Sequence, residues 1–155
     1  MNKAMLFFIC LIIPLCIGGL SGVLTATEIT GWYKNAIKPS FNPPNYVFGP
    51  VWTLLYALMG VSLFMVMNAT TGTDRTIGLA LFATQITLNF FWSILFFKFH
   101  QPGWALLEMA FLWVAIAAMI IYFFKVAPIA GLLQIPYLCW VSFATILTLS
   151  FWQLN

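Results

Sequence analysis

The stretch Trp104–Phe124, WALLEMAFLWVAIAAMIIYFF, decides the fold class of this chain. It contains one charged residue, Glu108, in an otherwise apolar run. A helix needs about 20 mostly apolar residues to cross the hydrocarbon core of a bilayer. The stretch therefore predicts a transmembrane helix.

Moving outward from this stretch, the chain contains four more long apolar runs, and none of them carries a charge. Runs of this length disfavour barrel strands, which are short and alternate in polarity. We predict an all-α integral membrane protein, a bundle of five transmembrane helices with a long ordered loop between the first two. The prediction is a single domain over residues 1–155, with helices over about 5–27, 46–68, 76–97, 104–124 and 128–152 and the loop over about 28–45.

The composition agrees with a membrane location, since 63% of the residues are hydrophobic and 6% are charged. Soluble domains carry about 25% charged residues. The net charge of +3 is small and scattered, which disfavours a nucleic-acid partner. Cys10, Cys16 and Cys139 lie in apolar runs without metal-ligand spacing. We expect no metal site and no required cofactor.

The first apolar run has two interpretations. Lys3, the apolar core and the small residues near Ala26 would fit a cleaved signal peptide. The run is longer than a usual signal core, however, and Gly18 and Gly22 form a GxxxG pattern that lets helices approach closely. We favour a retained helix. The basic residues divide three against three between the two sides, so orientation is not predicted, and the short ends favour a bacterial cell membrane.

The third run carries two different stripes at helical spacing. Gln85, Asn89 and Ser93 recur every fourth residue, and amides facing lipid are costly, so this stripe should point inward. The opposite face carries small residues, namely Thr76, Ala80, Ala83, Thr84 and Thr87. Either the amides bond neighbouring helices and the small residues pack inside the bundle, or the helix serves a pocket on one face and a homodimer partner on the other.

Aromatic residues mark the second and fifth runs. Trp52 and Tyr56 are one turn apart, and Tyr137, Trp140 and Ala144 follow the kink expected at Pro136. Trp140 lies near the middle of its run, where an indole N–H needs a partner, so it should point inward. Glu108 is only about 6 Å along the helix from Trp104, and we predict a structural ion pair or a helix cap for it near the interface.

Four segments stand in order from Trp32 to near the end: WYKNAIKPSFNPPNYVFGPVWTLLYALMG, QITLNFFWS, PGWALLEMAFLWVAIAA and IPYLCWVSFATIL. Together they resemble the translocator protein family, also known as tryptophan-rich sensory proteins and the peripheral-type benzodiazepine receptor. The resemblance implies five transmembrane helices and homodimers. It also implies that the protein binds lipophilic ligands, including tetrapyrroles such as protoporphyrin IX and haem.

The resemblance implies that the first loop folds over the mouth of a pocket. Its prolines, Pro39, Pro43, Pro44 and Pro50, would stiffen such a lid. Phe41, Tyr46 and Phe48 would give it an apolar underside. Vertebrate members carry a proposed cholesterol motif near the end of the fifth helix, which the ending LTLSFWQLN lacks, so sterol binding is not carried over.

Position by position, the family's ligand pocket falls on residues of the loop and of helices two, three and five. The predicted ligand-binding residues are Tyr33, Trp52, Tyr56, Asn89, Ser93, Tyr137, Trp140 and Ala144. The propionates of a porphyrin would need cations, and Lys34, Lys38 and Lys98 lie on the predicted mouth side.

Three functions compete. The first is a membrane binding protein (a receptor, sensor or carrier) for tetrapyrroles and other lipophilic ligands. The second is an enzyme for light- and oxygen-dependent degradation of protoporphyrin IX, which the resemblance would assign to Trp52 and Trp140 as catalytic residues. The third is a coupled secondary transporter, which the odd helix number disfavours. We rank binding first, and we expect iron not to be required, because the single histidine, His100, lies in a loop.

Overall fold

The computed structural model describes residues 2–155, and these are folded into a bundle of α-helices. The helices are α1 (Lys3–Thr30), α2 (Trp32–Asn35), α3 (Asn45–Met67), α4 (Thr73–Ser93), α5 (Pro102–Val126), α6 (Pro128–Leu132) and α7 (Ile135–Leu154). A π-helical segment, Ile94–Lys98, continues α4. Within the described residues, five spans are long and apolar enough to cross a membrane. The predicted all-α, five-span fold is confirmed.

The helix boundaries follow local chemistry. Asn2 caps α1, because its side-chain oxygen accepts a hydrogen bond from the backbone N–H of Ala4 at 3.1 Å. Pro102 and Pro128 begin α5 and α6, at positions where a missing N–H removes no intrahelical bond. Residues 133 and 134 interrupt the last span immediately before Ile135 and Pro136, close to the predicted kink.

Helix α5 lies between α4 and α7 and contributes the largest share of the core. Phe123 on α5 stacks against Phe82 on α4, with ring centroids 6.2 Å apart. Helix α6 is tied to α3 by polar contacts, since the Ser62 hydroxyl donates to the carbonyl of Ala130 at 2.7 Å. These contacts hold α3, α5 and the last span around a common interior.

The first helix is the most peripheral. It packs mainly against α3 and exposes large apolar side chains such as Phe8, Ile12 and Val23. Lipid is the expected solvent for such a surface. Because α1 packs along α3 and lines the cavity described below, it is an integral part of the bundle.

Candidate ligand-binding cavity

A cavity of about 360 Å³ lies inside the bundle, between α1, α3, α4 with its π-helical segment, and α7. Tyr33 on α2 reaches it from the loop end. Seven of the eight predicted ligand-binding residues line it, namely Tyr33, Trp52, Tyr56, Asn89, Ser93, Trp140 and Ala144. Tyr33 of α2 and the stripes on α3, α4 and α7 are therefore brought to one interior space.

Aromatic rings form much of the wall. Trp52 and Tyr56 stack one turn apart on α3, with centroids 5.5 Å apart and planes at 30°. Trp140 on α7 packs edge-on against Phe48 of α3, with ring centroids 5.9 Å apart. The indole Nε1 atoms of Trp140 and Trp92 are buried and have no hydrogen-bond partner among residues 2–155. The wall thus presents flat apolar surfaces to the cavity, and neither of these indole Nε1 atoms is accessible from it.

The eighth predicted residue, Tyr137, lies behind the wall rather than on it. It is 1% exposed, and its hydroxyl donates to Gln85 Oε1 at 2.9 Å and accepts from Asn89 Nδ2 at 3.0 Å. The Tyr56 hydroxyl completes the network by donating to Asn89 Oδ1 at 2.5 Å. The network joins α3, α4 and α7, as expected if the amides bond neighbouring helices, while Asn89 also contributes surface to the cavity.

The small-residue face of α4 points away from the cavity. Thr76, Ala80, Ala83, Thr84 and Thr87 are all exposed on the protomer. They do not pack inside the bundle, which was one of the two interpretations of the stripe. The face is therefore free for a partner helix, and the homodimer stays a prediction.

The loop between α1 and α3 is fastened at several points near the cavity mouth. The Tyr33 hydroxyl donates to Asn42 Oδ1 at 3.0 Å. Burial raises the pKa of the Tyr33 phenol, and the hydrogen bond to Asn42 lowers it by less. The Lys38 ammonium lies 4.8 Å from the centre of the Tyr33 ring and donates to the carbonyl of Lys34 at 3.2 Å. This part of the loop is ordered by side-chain contacts as well as by its prolines.

The three lysines predicted to contact propionates do not line the cavity. Lys34 and Lys98 are exposed, and Lys38 is half-buried against Tyr33. Tyr33 and Phe97 do line the cavity. Lys34 follows Tyr33 in the sequence, Lys98 follows Phe97, and Lys38 contacts the Tyr33 ring. The lysines therefore flank the mouth, and their contact with a ligand stays a prediction.

The predicted underside of the lid is only partly correct. Phe48 lines the cavity, and Phe41 packs edge-on against Phe143 of α7 at 6.4 Å. Tyr46 is 79% exposed and points away, because it stands on the outer face of the first turn of α3. A side chain in a helical turn follows the 100° step, so Tyr46 and Phe48 cannot share a face.

His100 and Glu28 pair outside the cavity. His100 Nε2 lies 3.0 Å from Glu28 Oε2, and its ring stacks on Trp32 with centroids 4.3 Å apart. His100 is also the one non-glycine residue within 2–155 with positive φ, at 53°. Its position joins the end of α1 to the loop after α4. It is not among the residues that line the cavity.

The prediction of an ion pair or cap for Glu108 is wrong. Both of its carboxyl oxygens are buried and neither has a hydrogen-bond partner in the part of the chain that the structure describes. The closeness of Glu108 to Trp104 along the helix does not place its side chain in water, because Glu108 lies on the same face of α5 as buried Ala105 and Leu112. Packing against α4 and α7 removes that face from water.

Sequence reasoning missed one wall of the cavity. Gly18, Gly19, Ser21, Gly22 and Thr25 of α1 line it. Their spacing places small and weakly polar residues on one stripe of an otherwise bulky apolar helix, and this stripe was the available signal. The remaining missed residues, such as Trp92 and Phe96, stand beside the Asn89 stripe on α4 and its π-helical extension.

Comparison with known proteins gives a consistent picture. The model of the TspO/MBR family matches residues 10–153. The chain is 38% identical to the tryptophan-rich protein TspO of Chlorobaculum tepidum, over 100% of this chain and 99% of that protein. It is 40% identical to the protein of the same name in Archaeoglobus fulgidus, over 91% of each chain. It is also 38% identical to the human translocator protein, over 80% of this chain and 75% of that protein.

Proposed function

From the premise that this chain belongs to the TspO/MBR family of multi-pass membrane proteins, we propose that it is a receptor or sensor that binds tetrapyrroles such as protoporphyrin IX in the cavity of the bundle. The proposal rests on Trp52 of α3 and Trp140 of α7, which line the same cavity. A flat, largely apolar macrocycle is suited to a pocket walled by aromatic rings and supplied with a few polar groups.

The polar groups of the wall support an acceptor-bearing ligand. The hydroxyl of Ser93, which lines the cavity on α4, is a donor for a carbonyl, carboxylate or pyrrole nitrogen. At the loop end of the cavity, Lys38 lies over the ring of Tyr33 and would supply a cation for a propionate.

Titration of the purified protein with protoporphyrin IX, followed by the absorbance of the porphyrin, tests the proposal. We expect saturable binding that Trp140→Phe weakens. Trp152→Phe is the matched control, because Trp152 is 51% exposed and does not line the cavity. Equal loss in both variants, or no saturable binding by the unmodified chain, would contradict the proposal.

A second candidate function is supported by the same pair of tryptophans. Two indoles in one cavity wall could be positioned beside a bound porphyrin, and degradation of protoporphyrin IX with light and dioxygen would then be catalysed at that position. Illumination of the complex with and without dioxygen separates the two functions. Porphyrin loss that is faster than in free solution, and that disappears in both Trp52→Phe and Trp140→Phe, would favour the enzyme.

A further inference from the structure

The cavity is exposed along one side, between α1 and α3. Among the described residues that line it, Gly19 and Gly22 of α1 and Asn45, Gly49 and Thr53 of α3 are exposed. All lining residues from α4, its π-helical segment and α7 are buried or half-buried. The wall is therefore closed on the α4 and α7 sides and open where α1 faces α3.

The opening lies beyond the point where α1 and α3 touch. At one end they are in contact, since a Cβ added to Gly60 would lie 2.6 Å from the Cα of Leu11. Gly18, farther along α1, lies directly against the ring of Tyr56. Beyond this point a Cβ added to Gly22 or Gly49 would meet nothing within 4 Å, so the space beside these glycines is open.

The opening lies at the depth of the bilayer. Gly22 is about six residues from the middle of α1, or ~9 Å along its axis. Thr53 is about three residues from the middle of α3, or ~4.5 Å. With the middle of each span taken as the bilayer midplane, both positions fall within the ~15 Å half-thickness of the hydrocarbon core.

The end of the bundle beneath the first loop is covered. The Asn155 side chain holds the backbone of Ile37 by two hydrogen bonds, and Tyr33 holds Asn42 by a third. No residue of the segment 34–44 lines the cavity, so this part of the loop lies over the end of the bundle instead of entering the interior.

We propose that the gap between Gly19 and Gly22 on α1 and Gly49 and Thr53 on α3, here called the lateral slot, is the entrance through which a lipophilic ligand passes from the acyl chains into the cavity. The inference rests on the proposed function and adds to it the source of the ligand. Three glycines and a threonine leave the slot unobstructed, and a large side chain at either helix would fill it. The ligand then need not displace the loop or enter from water.

A thiol placed in the cavity tests the slot without any porphyrin. In a chain whose native cysteines Cys10, Cys16 and Cys139 are replaced by alanine, Ser93→Cys puts a thiol on the cavity wall. The protein in phosphatidylcholine vesicles is then treated with a membrane-soluble maleimide. We expect Gly22→Phe and Gly49→Phe each to slow labelling at least about tenfold, as a blocked route should. Neither substitution clashes with the fold at the Cβ atom, because both Cβ positions are open. Replacing a helical glycine by phenylalanine also does not lower helix propensity, because glycine is the poorer helix former.

Two variants serve as controls. Ala26→Phe places the same phenylalanine side chain on the exposed surface of α1, one turn from Gly22 and outside the cavity lining. It should leave the labelling rate unchanged. Asn155→Ala loosens the loop and should not accelerate labelling. Unchanged labelling in Gly22→Phe and Gly49→Phe, equal slowing by Ala26→Phe, faster labelling in Asn155→Ala, or no labelling of Ser93→Cys at all would each overturn the lateral slot.

The porphyrin measurement separates this inference from the proposed function. If protoporphyrin IX binds, Gly22→Phe should slow its association, whereas Ala26→Phe, outside the cavity lining, should leave the association rate unchanged. A lower affinity with an unchanged association rate would overturn the slot as an entrance. If protoporphyrin IX does not bind, the proposed function fails, and the maleimide result still decides whether the cavity communicates with the lipid.

Discussion

The carboxamide of Asn155 forms two hydrogen bonds with the backbone of Ile37. The Ile37 N–H donates to Asn155 Oδ1 at 3.0 Å, and Asn155 Nδ2 donates to the Ile37 carbonyl at 2.8 Å. Residues at opposite ends of the chain are thereby joined, and the C-terminal turn of α7 fixes the loop that covers the end of the bundle.

The first prediction concerns this fastening. Asn155→Ala removes both hydrogen bonds, and each is worth about 0.5–1.5 kcal/mol. We expect faster hydrogen exchange of the loop amides around Ile37, measured by mass spectrometry, with little change in the transmembrane helices. Gln153→Ala, at an exposed position of the same turn, is the control. Equal exchange in the two variants would show that the loop is held by other contacts.

The second prediction concerns the polar network behind the cavity. Tyr137→Phe leaves Gln85 Oε1 without its donor and Asn89 Nδ2 without its acceptor, whereas Tyr56→Phe leaves only Asn89 Oδ1 without its donor. A buried polar group without a partner costs about 1–3 kcal/mol. Thermal unfolding in detergent should therefore show a larger loss of stability for Tyr137→Phe than for Tyr56→Phe.

Tyr122→Phe is the reference for this pair, because the ring face of Tyr122 lies near the Lys125 ammonium at 4.7 Å. Removal of its hydroxyl leaves that contact in place, and we expect almost no change in Tm. A loss for Tyr122→Phe as large as that for Tyr137→Phe would show that the network adds nothing to stability.

The third prediction concerns iron. His100 pairs with Glu28 and stacks on Trp32, and it does not line the cavity. It should therefore not ligate a haem bound inside. We expect protoporphyrin IX and haem to bind with similar affinity and His100→Ala to leave their affinity ratio unchanged in parallel absorbance titrations. Loss of haem binding alone in His100→Ala would contradict this expectation.

The fourth prediction concerns assembly. The exposed small residues of α4 allow a second helix to approach closely, and we expect a homodimer through this face. Ala80→Leu and Ala83→Leu should shift the protein to monomers in sedimentation measurements in detergent, without loss of helix content. Ala110→Leu, on the exposed side of α5, should leave the dimer intact. If all three variants behave alike, the α4 face is not the interface.

The sequence by itself determined the architecture of this protein and the direction in which most of the cavity residues point. Five apolar runs predicted five spans, because a bilayer requires about 20 apolar residues for each crossing, and the structure confirms them within a few residues. The inward direction of Gln85, Asn89 and Ser93 followed from the 100° step of a helix and the cost of an amide in lipid. The resemblance to a known family then indicated which stripes share one space.

Only the tertiary structure decided which of the inward-pointing residues reach the cavity and which lie behind its wall. Tyr137 and Trp140 are close in sequence and both are inward, but only the packing of α3 and α4 places Trp140 on the cavity and Tyr137 behind it. Likewise, packing of α5 against α4 and α7 leaves the carboxyl oxygens of Glu108 buried, with no hydrogen-bond partner among residues 2–155. The open space between α1 and α3 cannot be predicted from either helix alone, because periodicity fixes only the direction of a side chain around one helix axis. The distance between two axes depends on which residues, here Gly60 and Leu11, meet across them.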